Sequence, residues 1–195
     1  MALDVNKLKT EILKLIDPNN PGFVGFPTNA TTFANNWANA YDTYAKSAQD
    51  VSGDTLITPF KSAMVLKLQA LSTPFGVIAT AAQAFDDALK AYWIGAHFTT
   101  LIVPTPASAC ASVGGNGLWS AEASSIVSAV TAGVLQASMA SLLAIPSNDP
   151  NVKAAALASA LHAATTSAVK VTITGTDTTA PPSGPLTITN TCSIV

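Results

Sequence analysis

The chain has 195 residues, which suffices for one domain with a substantial hydrophobic core. Nearly half of the residues are apolar, only 10% are charged, and lysine is the only basic type in a chain of formal net charge -2. The absence of arginine and of any dense basic run argues against sequence-specific nucleic-acid binding, and the sparse charge predicts a surface covered partly by copies of the chain or by partners.

The first predicted helix runs from the N-cap Asp4 to Ile16, with an apolar stripe on one face. Charged residues occur along its whole length, so we expect no signal peptide here. The loop after this helix carries three apolar side chains, which we expect to insert into a groove. They are Phe23, Val24 and Phe26.

A second helix is predicted to start at Thr31 or Thr32. Its aromatic residues recur at helical spacing, which favours a packing face over a ligand cage. These residues are Phe33, Trp37, Tyr41 and Tyr44. A third helix is predicted over residues 55–71, with Pro59 in its first turn or with a later start at Thr58.

A fourth helix is predicted from about Phe75 to Phe98. Two adjacent carboxylates in it diverge around the helix axis, so they do not form a paired acid site. Together with a lysine in the next turn they predict a solvated face that carries an ion pair. The three residues are Asp86, Asp87 and Lys90.

The uncharged stretch from Ser124 to Pro146 is nearly long enough to span a bilayer. Polar residues form a stripe along it, so we favour a mostly buried helix that Ser120 caps and Pro146 ends. A membrane-active helical protein that uses residues 124–146 is the alternative function to which this stretch points.

The last predicted helix runs from about Val152 to Ser167, and two strands follow it. Ser147 or Asp149 is its predicted cap, with Pro150 in a position that a helix start tolerates. From Val169 onward apolar residues alternate with threonine and other polar residues, which is typical of strands. The predicted fold class is mainly α, with about six helices in a bundle-like domain over residues 1–168. Residues 169–195 are predicted to form a C-terminal β-hairpin or extended assembly arm.

An isolated hairpin is at best marginally stable in water, so this hairpin must rest on the helices or on another chain. A terminal strand can also add to the sheet edge of a neighbour through backbone hydrogen bonds. We therefore predict a subunit interface at apolar positions of the hairpin. These positions are Val171, Ile173, Leu186, Ile188 and Ile194.

Residues for catalysis or metal binding form no recognisable pattern. His97 and His162 have no second ligand one helical turn away, so we predict no metal or cofactor site and no enzyme. A Cys110–His97 dyad in a hydrolase or small-ligand carrier remains an alternative hypothesis. We predict that Cys110 and Cys192 are free thiols or small core residues, with a disulfide within or between subunits as the alternative.

Several stretches together resemble the small virion structural proteins of tailed bacteriophages, in particular those with contractile tails. The stretches are MALDVNKLKTEILKLID, FANNWANAYDTYA, the helices rich in Ala, Ser and Thr, and GTDTTAPPSGPLTI. The resemblance implies a non-enzymatic subunit present in many copies in the capsid, neck, tail or baseplate of a virion. Its partners would be copies of itself and other virion structural proteins, with no small-molecule substrate.

Overall fold

The computed structural model describes residues 3–48, 56, 59–70, 78–94, 96–98, 119–128, 148–177 and 186–193. This part of the chain is mainly helical. Its five helices are α1 (Val5–Ile16), α2 (Ala30–Ala45), α3 (Lys61–Gln69), α4 (Ile78–Trp93) and α5 (Pro150–Ala168). Its strands are β1 (His97–Phe98), β2 (Trp119–Ser128), β3 (Val169–Asp177) and β4 (Leu186–Ser193).

Side-chain caps set three of the helix starts. The Asp4 carboxylate accepts from the Asn6 N–H at 2.8 Å, and Asp149 caps α5 in the same way, with Pro150 in the first turn. These features confirm the predicted caps of the first and last helices, and the last helix begins at Pro150, slightly earlier than predicted. The second helix begins slightly earlier than predicted, because Asn29 is its cap and accepts from the Thr32 N–H.

The third and fourth helices are both shorter than predicted. Helix α3 begins at Lys61, after Pro59, and the N–H of Phe60 donates to the carbonyl of Tyr92 instead of joining an earlier helical turn. Helix α4 ends at Trp93, and the prediction that it continues to Phe98 is wrong. The backbone of residues 97–98 pairs with β2 as strand β1 instead.

The hydrophobic core lies among the five helices. Its largest completely buried side chains are Trp93, Tyr41, Tyr44, Tyr92, Leu8, Ile12, Met64, Leu68 and Leu89. Phe33 and Trp37 are half-buried and pack against this core. The aromatic stripe of α2 is therefore the packing face that its spacing predicts.

The four strands form one antiparallel sheet in the order β1-β2-β3-β4. Val169, the first residue of β3, is completely buried in the helical core and joins the sheet to α5. The prediction that a helix starts at Ala121 is wrong, because residues 119–128 pair with β3 along their length. Tertiary pairing overrides the weak helical preference of this Ala- and Ser-rich segment.

The rest of the stretch predicted as an uncharged helix, residues 129–146, lies outside the described residues. Over residues 124–128 the structure has strand and not the predicted helix. Among the described helices, none combines the length and apolar character needed to cross a membrane.

The loop between α1 and α2 does not insert its apolar side chains into a groove, contrary to our expectation. Phe26 is 65% exposed and Val24 is 54% exposed. The rings of Phe23 and Phe26 instead stack edge to face at 5.0 Å. Gly25 between them has φ of +85°, a conformation that favours glycine and turns the chain at this point.

Many alanines are buried in the core of the helical body, so added volume at one of them should destabilise it. Ala158 of α5 is completely buried and Ala163 of the same helix is exposed. We expect Ala158→Leu to lower the free energy of unfolding by about 1–3 kcal/mol through overpacking. Ala163→Leu should change it by less than about 0.5 kcal/mol. Chemical denaturation of both variants tests this, and equal effects would contradict the packing described here.

Candidate functional site

The two histidines that we singled out for chemistry lie on different elements of the fold. His97 lies in β1 at a position paired with Ser125, His162 lies on α5, and Cys110 is outside the described residues. The Cys110–His97 dyad therefore stays a hypothesis. Over the described part of the chain, no three histidine, cysteine or carboxylate side chains group in a way that could hold a metal ion.

A chain of hydrogen bonds joins three helices in the core. The indole N–H of Trp93 donates to the Tyr41 hydroxyl at 2.6 Å, and that hydroxyl lies 2.7 Å from Oγ1 of Thr165. Thr165 in turn donates to the carbonyl of Leu161 at 2.7 Å. An indole can only donate and a carbonyl can only accept, so the direction is settled: Trp93 to Tyr41 to Thr165 to Leu161.

Two further polar contacts flank this chain. The Tyr44 hydroxyl lies 2.7 Å from Nδ1 of His162, which is half-buried on α5. The Tyr92 hydroxyl donates to Oδ1 of Asp42 at 2.9 Å, and the other oxygen of Asp42 pairs with Lys46 at 2.8 Å. These contacts satisfy polar groups that would otherwise cost free energy in the core.

Burial controls the acidity of the tyrosines in this network. Loss of solvation raises the pKa of Tyr41, Tyr44 and Tyr92 well above the ordinary value of 10.0. For Tyr92 the neighbouring charge of Asp42 raises the pKa further. All three phenols therefore stay protonated near neutral pH and act as hydrogen-bonding groups in the core.

Asp86 departs from the solvated face that we predict for it. Its side chain is completely buried, and Oδ2 lies 2.9 Å from the ammonium of Lys90. The ion pair at i,i+4 is as predicted, but neither carboxylate oxygen meets the geometry of a hydrogen bond. Asp87 is half-buried and accepts from Gln83. A buried pair of this kind is weak evidence for stability and no evidence for catalysis.

A groove of about 510 Å³ lies on the surface between α2 and α3. Leu66 on its rim is 67% exposed. Lys61 is the only ionisable side chain among the lining residues, which are Asn35, Lys61, Ser62, Val65, Leu66 and Gln69. The lining residues include no carboxylate, histidine or cysteine that could activate Ser62 or Lys61.

Strand β4 is the longer of the two edge strands of the described sheet. It ends the strand order, and no other described strand pairs with its outer edge. Its sequence LTITNTCS contains no charged residue and no proline, the usual means of protecting an edge. Alternate residues of this eight-residue strand direct their N–H and C=O groups to the outer edge, and a strand rich in threonine and isoleucine is suited to pairing there with a further strand.

The structure separates the predicted interface residues by strand. Val171 and Ile173 lie in β3, which pairs with β2 on one side and β4 on the other. The backbone of β3 is therefore fully engaged within the sheet. Leu186 and Ile188 lie in the edge strand β4, and Ile194 lies outside the described residues. The interface itself stays a prediction.

Comparison of the chain with protein-family models, with curated proteins and with solved structures gives no match in any of the three.

Tyr41 and Tyr44 provide a matched test of the core network. Tyr41→Phe removes the acceptor of the buried Trp93 N–H, so we expect the free energy of unfolding to fall by about 1–3 kcal/mol. Tyr44→Phe should cost about 0.5–1.5 kcal/mol, because water can reach the half-buried His162. Urea denaturation measures both values. A larger loss for Tyr44→Phe would contradict the network as described.

Alkaline titration tests the burial of the phenols, since these three are the only tyrosines of the chain. Their pKa values are raised in the folded state, so their contribution to stability is complete below pH 10.0 and is lost as the pH rises further. We expect tyrosinate absorbance to appear only together with loss of the helical circular dichroism signal. In urea the same groups should titrate near pH 10. Tyrosinate formation in the folded chain would contradict this prediction.

Proposed function

We propose that this chain is a non-enzymatic assembly subunit whose β3–β4 hairpin contacts a neighbouring subunit. The observation that carries the proposal is the outer edge of β4, with which no other described strand pairs and whose sequence contains no charge and no proline. Natural sheets usually guard such an edge with lysine, proline, a bulge or a short strand. An eight-residue edge with none of these guards is suited to pairing with another chain.

The contacts within the helical body support a body that folds by itself and a hairpin that contacts the neighbouring subunit. Among the described residues, buried side-chain nitrogen and oxygen atoms without a hydrogen-bond partner are confined to Asp86. The Trp93–Tyr41–Thr165 chain joins α4, α2 and α5 through side chains of these helices. The body therefore holds its polar groups internally, while β4 leaves its outer backbone groups for a partner.

The resemblance to virion structural proteins of tailed phages suggests the setting of this assembly. We place the proposed subunit in a virion, in contact with copies of itself and with other virion structural proteins. Sparse charge agrees with that setting, because surfaces covered in an assembly need fewer charges for solubility.

Deletion of residues 170–195 separates the folding of the helical body from association through the hairpin. The deletion keeps the buried Val169. We expect the shortened chain to retain its helical circular dichroism signal and its cooperative unfolding, because the core network stays complete. Its mass in solution, measured by analytical ultracentrifugation, should fall to that of a monomer. A full-length chain that is itself monomeric at all concentrations would contradict the proposal, as would undiminished association of the shortened chain.

Thr189→Pro and Asn190→Pro form a matched pair of point variants for the same experiment. Successive residues of an antiparallel strand direct their N–H groups to opposite edges, so one variant loses a bond to β3 and the other loses an outward N–H. The variant that loses the outward N–H should weaken association at least about tenfold. In that variant the amides of β3 should stay protected from hydrogen exchange. Wild-type association by both variants would rule out the outer edge as the contact.

A further inference from the structure

The two edges of the sheet differ in the length of backbone that they offer. Strand β4 presents eight residues, whereas β1 at the other edge has two. Behind β1, strand β2 has a register shift between Ala121 and Ala123, an irregularity that hinders pairing at an edge. The β1 edge of the described sheet is therefore too short to pair along the whole of β4. A second copy offers a matching edge through its own β4.

Symmetry restricts how two copies of β4 can pair. An antiparallel pair of identical edge strands is related by a twofold axis normal to the sheet, which keeps each face on its own side. Opposite residues share a face, so they must be an even number of positions apart in the sequence. Full overlap, with Leu186 opposite Ser193, breaks this rule. Two registers of seven residues remain, centred on Thr189 or on Asn190.

The residue types distinguish these two registers. The register centred on Thr189 places Ile188 opposite Asn190, an apolar residue against an amide. The register centred on Asn190 places that residue opposite itself, Thr189 opposite Thr191, and Ile188 opposite Cys192. Matched pairs across strands stabilise a sheet, so the second register is favoured.

We infer that β4 pairs antiparallel with β4 of a second copy about Asn190, which joins two four-stranded sheets into one continuous sheet. The inference rests on the proposed function, because it names the partner of the same edge. Backbone hydrogen bonds supply the attraction, and the alternation of the strand sets the register.

Disulfide cross-linking of the full-length chain tests the register. In a background of Cys110→Ser and Cys192→Val, single cysteines are introduced as Thr189→Cys, Asn190→Cys and Thr191→Cys. Opposite residues have Cα atoms about 4.5–5.5 Å apart, within reach of a disulfide, whereas a mate displaced by two residues is beyond it. We expect cross-linked dimer at position 190, at least about tenfold above positions 189 and 191.

Two controls are measured for each variant before oxidation: its mass in solution and its helical circular dichroism signal. The inference requires that the background chain associates like wild type and that position 190 dominates. Association without a preference for position 190, or equal cross-linking at all three positions, would overturn the inference and leave the proposed assembly role standing. A wild-type chain that is monomeric at every concentration would overturn both.

Discussion

The hydrogen-bond chain from Trp93 through Tyr41 to Thr165 is the contact on which the helical body depends. It joins α4, α2 and α5 through side chains that are almost completely buried. Because the indole must donate and the Leu161 carbonyl must accept, each hydroxyl has one orientation. A core of alanine and aromatic residues could pack in several ways, and a directional chain of this kind favours one arrangement over the others.

Local signals in the sequence predicted the helices whose ends carry caps. Asp4 and Pro150 mark the first and last helices correctly, because capping depends on neighbouring residues alone. The end of α4 and the strand at residues 119–128 could not be predicted in this way. Their backbones follow from pairing with strands distant in the chain, and pairing outweighs local propensity when the two conflict.

The same distinction applies to the sites. The alternating pattern of the C-terminal residues predicted strands there, but only the strand order shows that β4 is the edge and β3 is enclosed. The core network was not predicted, because Trp93 and Thr165 lie 52 and 124 residues from Tyr41. No spacing rule connects residues so far apart. Asp86 looked solvated for a related reason, since its burial depends on the elements that pack over α4.

The placement of charge is consistent with the association that we propose for this chain. The ion pairs of the described residues are Lys14–Glu11, Lys46–Asp42 and Lys90–Asp86, each between residues three or four apart in one helix or its C-cap. These pairs support individual helices by a few tenths of a kcal/mol where they are exposed, about the usual size for such contacts. Strand β4 carries no charge, so a partner at its edge meets backbone hydrogen-bonding groups that salt screens little. An edge that neither repels a copy of itself nor depends on charge to attract one is suited to a densely packed assembly.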